Sequence, residues 1–216
     1  MAEAGAPSAS LQFPVSLNVA GKPCLVVGGG PVAARKAQSL LACDAQVTVI
    51  APDISPEMAA LGGLRIEQRP YAAGDVDDFR LVITATGLED VDGCVFDEAE
   101  AAGIWVNSAD DVSHCSFTLP SLHRDGSVTI AVSTGGASPA LATWLRARLA
   151  DDVEGVGELA TALSAARAQV KAAGRRTEDI DWVSLLDGPL PELLRQGRHD
   201  EAQALIQAAI GPASPT

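Results

Sequence analysis

A doubly wound α/β fold is predicted for the first half of this chain, and three observations predict it. Short apolar runs rich in β-branched residues recur between residues 24 and 107, each followed by a segment of helical character. The runs are apolar throughout rather than alternating, as expected of parallel strands covered on both faces. The first run stops at three consecutive glycines, Gly28, Gly29 and Gly30, and an alanine-rich segment then begins at Pro31.

Residues 24–27 read as the first strand and 32–42 as the first helix. Residues 46–51, Gln-Val-Thr-Val-Ile-Ala, read as a buried second strand. A short helix at 55–61 and a third strand at 64–68 follow. Residues 81–86 read as a fourth strand ending in Thr-Ala-Thr, 90–102 as a helix stopped by Gly103, and 104–107 as a fifth strand. The pattern then changes. Residues 116–123 and 128–133 are strand-like and separated by Arg124-Asp125-Gly126-Ser127, and Asp-Gly is a strong hairpin signal. A two-stranded hairpin alone is marginal in water, so it needs a partner sheet, such as one from a second subunit.

From Ser138 onward the chain reads as helical. Ser138-Pro139 supplies an N-cap and a proline at the first helical position. Residues 140–150 carry the stripe Leu141, Trp144, Leu145 and Leu149. Further helices are expected at 159–173, 180–186, 191–196 and 200–209. Trp105, Trp144 and Trp182 lie in apolar patterns and read as core or interface. The expected organisation is a dinucleotide-binding domain over 11–113, a region of two strands and a helix over 114–150, and a helical domain over 151–210. Residues 1–10 and 211–216 read as flexible tails.

The 216 residues are 47% hydrophobic, enough to bury a core. No apolar stretch approaches the roughly 20 residues of a membrane span, and no signal peptide is read at the start. The net charge of −13 argues against a nucleic-acid partner. It leaves room for an anionic small molecule, for which a local pocket of N–H groups suffices. The cysteines Cys24, Cys43, Cys94 and Cys115 form no C-x-x-C pair. Reduced thiols and a cytoplasmic location are expected, with no zinc cluster and no redox motif. His114, His123 and His199 are scattered and form no metal-ligand pattern; His114 is the one placed near Asp110.

Three segments carry candidate chemistry. In the strand–glycine–helix turn, Gly28 permits the tight turn, Gly30 admits a pyrophosphate, and Ala33 in the third position keeps the helix close to the strand. The helix N-terminus offers free N–H groups to the phosphates. The second strand ends at Pro52, with Asp53 just beyond as partner for the adenosine ribose. No Arg or Lys follows directly to meet a 2′-phosphate, which favours NAD. Asp53 also fits a helix cap, with Ser55 as competitor. The second segment, Val106-Asn107-Ser108-Ala109-Asp110-Asp111, lies past the carboxyl end of the fifth strand, where doubly wound sheets bind ligands. Thr86 opens onto the same crevice. Asp110 can take a proton or orient a substrate N–H, and equally fits a solvated loop acid; Asp111 reads as a turn former. The third segment, Ser133-Thr134-Gly135-Gly136-Ala137-Ser138-Pro139, runs into a helix N-terminus and reads as a second anion receptor.

Taken in order, Gly-Gly-Gly-Pro-Val-Ala-Ala-Arg-Lys, Val-Thr-Val-Ile-Ala-Pro, Asn-Ser-Ala-Asp, Ser-Phe-Thr-Leu-Pro and Ala-Val-Ser-Thr-Gly-Gly-Ala-Ser-Pro resemble the precorrin-2 dehydrogenase/ferrochelatase module of siroheme synthases. The resemblance covers about residues 13 to 210. It implies a Rossmann domain, a dimerisation region around the extra strands, and a C-terminal helical part. It implies oxidation of the tetrapyrrole precorrin-2 to sirohydrochlorin with NAD as acceptor, and in some members insertion of ferrous iron. By this resemblance Asp110 is the catalytic aspartate. Gly28, Gly29, Gly30, Pro31, Val32, Pro52, Asp53 and Thr86 hold NAD, and Asn107, Ser133, Thr134 and Gly135 meet the substrate. A homodimer is implied as well. The chain departs from the family at Gly87, where an acidic or amide residue is common, and at Asp181-Trp182, where some relatives carry an aromatic pair. A competing reading is an NAD-sensing regulatory module without catalysis. Such modules usually keep an acid at the very end of the second strand, and they have no need of a second glycine loop.

Overall fold

The computed structural model describes residues 12–211. The expected tails lie outside these residues, apart from Gly211. The chain divides into two compact units, the first ending at Leu119 and the second beginning at Pro120.

The first unit holds a five-stranded parallel sheet in the order β3-β2-β1-β4-β5. Its strands are β1 (Pro23–Val27), β2 (Gln46–Ile50), β3 (Leu64–Glu67), β4 (Leu81–Thr84) and β5 (Trp105–Ser108). Both faces of β1 are buried, which is why its sequence does not alternate. Cys24 and Val26 face one core with Val47, Val49 and Met58. Leu25 and Val27 face the other with Val82, Val95 and Val106. Helix α1 (Pro31–Leu41) starts on its proline and buries Leu40 together with Ala33, Ala34 and Ala37, small residues that bring it close to the sheet. Helix α2 (Pro56–Ala59) is capped by Ser55, whose hydroxyl accepts from Met58 N at 3.3 Å, so Ser55 and not Asp53 is the cap. Helix α3 (Glu89–Ala101) carries Glu89, Asp90 and Asp92 in its first turn, where the helix dipole favours acids.

The strand expected over 116–123 begins only at Ser121. Residues 115–117 instead fold back along β5. Ser116 N donates to Val106 O at 2.9 Å, Val106 N donates to Ser116 Oγ at 2.8 Å, and Asn107 bridges antiparallel to Cys115. This is why the first unit runs to Leu119, six residues past the boundary expected at 113. A one-turn 3₁₀ segment, Val112–His114, leads into it.

The second unit holds the antiparallel hairpin β6 (Ser121–Asp125) and β7 (Val128–Val132), then helices α4 (Pro139–Asp152), α5 (Val156–Ala172), α6 (Trp182–Leu186), α7 (Leu190–Arg195) and α8 (His199–Ile210). The hairpin packs on α4 and α5 of its own chain. Its turn sits against the start of α5. Gly157 N donates to Asp125 Oδ2 at 3.0 Å, and a Cβ on Gly157 would come within 2.6 Å of the Asp125 backbone. Helices α5 to α8 enclose a core that includes Ala166, Val170, Leu190, Leu193, Leu194 and Ile206. The stripe expected on α4 does not face this core: Leu141, Trp144 and Leu149 are exposed, Trp144 to 55%. Trp105 on edge strand β5 is 53% exposed and so is not core. Trp182 is half-buried, with Nε1 donating to Thr177 O at 2.7 Å. Among the described residues no helix is long and apolar enough to cross a membrane.

Candidate active site

The strand order reverses direction at β1 and β4, and there the carboxyl ends of the strands open a crevice. The glycine turn after β1 lies at this point. Gly28 has φ +127°, and a Cβ on it would strike Ala85 O at the end of β4. A Cβ on Gly29 would strike Asp53 O on the exit of β2. The turn is bonded to the same exit, since Gly28 N donates to Ile50 O and Ser55 N to Gly29 O, both at 2.9 Å. Gly30 differs. Its backbone is ordinary (φ −78°, ψ 178°), and a Cβ on it would meet no atom of the described residues within 4 Å. Neither strain nor packing requires glycine there. It leaves room for a group approaching from outside, at a helix end that has no side-chain cap. A pyrophosphate fits this cradle. Pro31 and Val32 open the helix that faces it, and both are exposed. Pro52 and Asp53 are exposed on the neighbouring exit.

Thr86, past the end of β4, is held from below by Asp92, which is 4% exposed on α3. Asp92 Oδ1 accepts from Thr86 Oγ1 at 2.7 Å, from Thr86 N at 3.4 Å, and from Thr84 Oγ1. Thr86 Oγ1 in turn accepts from Leu88 N at 3.0 Å. Asp92 thus fixes the β4–α3 loop, a role that the sequence reading missed. The signal for it was an acid in the first turn of a helix that follows a Thr-x-Thr strand end.

Past β5 the three polar positions separate by environment. Asn107 is 6% exposed, and its Nδ2 donates to Phe117 O at 3.0 Å and to Cys115 Sγ at 3.4 Å. Its amide nitrogen therefore holds the fold-back in place. Asp111 caps the 3₁₀ turn, accepting from Ser113 Oγ at 2.7 Å and from Ser113 N at 2.8 Å. These bonds hold its carboxyl below the ordinary range. Asp110 is exposed and has no hydrogen-bond or ion-pair partner among the described residues. His114 Nδ1 lies 3.6 Å from Asp111, beyond hydrogen-bond reach, and its ring stacks at a tilt on Phe96. Cys115 Sγ accepts from Ser108 N at 3.2 Å, and burial pushes the thiol above its ordinary value. Burial also lowers the pKa of the Lys36 ammonium on α1, against the opposing pull of Cys115.

In the second unit the loop ahead of α4 is bonded to itself. Thr134 Oγ1 donates to Ser138 O and accepts from Ser138 N, both at 3.1 Å. Ser133 Oγ accepts from Gly135 N at 3.2 Å, and Ser138 Oγ caps α4 at Leu141 N. Gly135 and Gly136 have φ +61° and +86°, and none of the described residues crowds either position.

The first unit is thus a dinucleotide-type Rossmann sheet, and the second is a hairpin with a helical bundle. Three family models match the chain in succession: "Putative NAD(P)-binding" over residues 15–121, "Sirohaem biosynthesis protein central" over 125–151, and "Sirohaem synthase dimerisation region" over 155–210. A siroheme synthase of Thioalkalivibrio sulfidiphilus is 40% identical over 207 residues, covering 92% of this chain and 42% of its own length. One of Nitrosococcus oceani is 37% identical over 204 residues, covering 92% and 44%. The chain therefore spans less than half the length of these relatives. A solved structure, "SirC, precorrin-2 dehydrogenase", superposes with a TM-score of 0.73 at 25% identity, covering 92% of this chain and 98% of that one. The chain belongs to the siroheme synthase / precorrin-2 dehydrogenase–sirohydrochlorin ferrochelatase family, as its N-terminal module.

Proposed function

We propose that this chain oxidises precorrin-2 to sirohydrochlorin with NAD as acceptor, and that Asp110 handles the proton. The observation that carries this reading is the contrast between adjacent acids at the carboxyl end of β5. Asp111 is engaged by Ser113, whereas Asp110 is exposed with no partner among the described residues. A carboxylate free of internal bonds can accept a proton from a bound substrate. NAD, when bound, accepts the hydride, so the macrocycle loses one hydride and one proton. Gly30 and the amides of α1 hold the pyrophosphate, Asp53 meets the ribose, and Thr86, fixed by Asp92, borders the crevice. Ser133 and the N-terminus of α4 meet substrate carboxylates. If ferrous iron is taken as a second substrate, the two pyrrole N–H protons displaced by the metal leave one at a time through the same carboxylate to solvent.

The exposed Leu122, Leu141, Trp144 and Leu149 on the hairpin and α4 support a homodimer. No disulfide joins the four cysteines, which supports a reduced, cytoplasmic setting. The test mixes the protein with enzymatically made precorrin-2 and NAD and follows NADH and the tetrapyrrole spectrum, with ferrous iron or cobalt added afterwards. Asp110→Ala is expected to lower turnover by about 10²-fold or more, the usual scale for a lost acid–base group, with NAD binding kept. A wild-type chain that binds NAD but forms no NADH would favour the sensor reading. An Asp110→Ala chain of unchanged turnover would remove the role assigned to that residue.

A further inference from the structure

NAD and NADP differ by one phosphate on the adenosine ribose, and the end of the sheet proposed for that ribose carries an arginine. β2 and β3 are neighbours, with Ile50 beside Glu67. Beyond that pair their exits stay tied: Ala51 N donates to Glu67 O at 3.3 Å, and Gln68 Nε2 donates to Pro52 O at 3.2 Å. Asp53 follows Pro52 on one exit, and Arg69 follows Gln68 on the other. A guanidinium beside the ribose is what a 2′-phosphate would be expected to find.

This guanidinium is already fully engaged. Nε donates to Glu67 Oε2 at 3.1 Å. Nη1 donates to Asp75 Oδ2 at 2.6 Å and to Pro70 O at 3.2 Å. Nη2 donates to Glu67 Oε2 at 2.7 Å and to Asp75 Oδ1 at 2.9 Å. An arginine has five N–H donors, and each has an acceptor here. The cage is itself anchored. Ala72 N donates to Asp75 Oδ2 at 2.8 Å, and Arg65 pairs with the other oxygen of Glu67 at 2.9 Å. Two arginines are thus matched by two carboxylates, and Asp53 remains as an exposed third acid.

We infer that Glu67 and Asp75 cage Arg69 as a closed 2′-phosphate site and so set the chain's choice of NAD over NADP. The inference rests on the dinucleotide reading above. A ribose with both hydroxyls meets an acceptor in Asp53. A 2′-phosphate meets the like charge of Asp53 and finds no free donor on Arg69. Opening the cage returns a planar, bidentate cation to the place where that phosphate would lie.

Calorimetric titration of the full chain with NAD and with NADP tests this through binding alone. The wild-type chain is expected to bind NAD at least about tenfold more tightly, the scale of one charge-assisted contact. Glu67→Gln with Asp75→Asn is expected to move the NADP-to-NAD ratio of dissociation constants about tenfold toward NADP, and Arg69→Gln added to that pair is expected to abolish the gain. Glu67→Gln alone gives part of it, and it decides the matter if heat denaturation shows that the double variant has not folded. An unchanged ratio in folded variants that still bind NAD overturns the cage and leaves the dinucleotide reading standing. So does a gain that survives Arg69→Gln, or a wild-type chain that binds both forms equally. A wild-type chain that binds neither overturns the dinucleotide reading and the cage together.

Discussion

The glycine turn at 28–30 and the glycine pair at 135–136 both lead into a helix headed by proline, yet their glycines answer to different constraints. In the first turn, side chains at 28 and 29 would run into backbone oxygens on the exits of β4 and β2. In the second, both glycines have positive φ, and the space around them is open. The first turn is built against its neighbours. The second is shaped from within, by the hydroxyls of Ser133, Thr134 and Ser138. Within the first turn Gly30 stands apart again, since neither its φ nor its neighbours exclude a side chain. Three reasons for glycine therefore coexist in one chain: close approach of backbone, left-handed conformation, and room for something the protein does not itself supply.

The comparison breaks most readily at Gly29. Gly29→Ala places a methyl group on Asp53 O, which belongs to backbone and cannot rotate aside. The exit of β2 has to shift, with loss of the bond from Ser55 N. The expected cost is about 3 kcal/mol or more, read as a lowered urea midpoint at constant m-value. A cost under about 1 kcal/mol would mean that the two exits are not locked together and that the first turn is as compliant as the second.

Gly30→Ala sharpens the same contrast from the other side. The new methyl group meets no atom of the described residues and the backbone is already in an ordinary region, so stability should stay within about 0.5 kcal/mol of wild type. NAD affinity should fall about tenfold or more, because the methyl group occupies the cradle proposed for the pyrophosphate. Stability and affinity thus separate at Gly30 and fall together at Gly29. A Gly30→Ala chain with unchanged NAD affinity would place the pyrophosphate elsewhere.

Most of the sheet was legible in the sequence because β1, β2 and β4 are short, largely apolar runs, as burial on both faces of a parallel sheet requires, while edge strand β3, Leu-Arg-Ile-Glu, is only partly buried. The fold-back at 115–117 was not. Ser-Phe-Thr-Leu reads locally as the start of a hairpin strand, and only bonds to Val106 and Asn107, about ten residues earlier, decide otherwise. The same limit applies to Asn107. Its place past a strand end gave no sign that its amide would be buried and hold residues 115–117, because that burial follows from what folds over it. The α4 stripe shows the converse: spacing identified an apolar face at Leu141, Trp144 and Leu149 but could not say what covers it. Asp92 and the Arg69 cage were missed for a related reason, since each joins residues from separate elements or loops, and no local pattern pairs Arg69 with Asp75.

The smallest effect is expected at Thr134, where the second turn depends on a hydroxyl and not on a glycine. Thr134 Oγ1 both donates to Ser138 O and accepts from Ser138 N, so it closes the loop and sets the start of α4. Thr134→Val keeps the shape and removes both bonds, at about 1 kcal/mol. Thr134→Ser restores them. Ser133 is differently placed: its oxygen accepts from Gly135 N, and its own proton remains to be donated. If the loop receives substrate carboxylates, Ser133→Ala should raise the KM for precorrin-2 with little change in stability. Thr134→Val should then lower stability and raise KM together, with Thr134→Ser rescuing both. A Thr134→Val chain of lowered stability and unchanged KM would make the second turn a helix-capping device alone, and the difference between the two turns would then be one of function as well as construction.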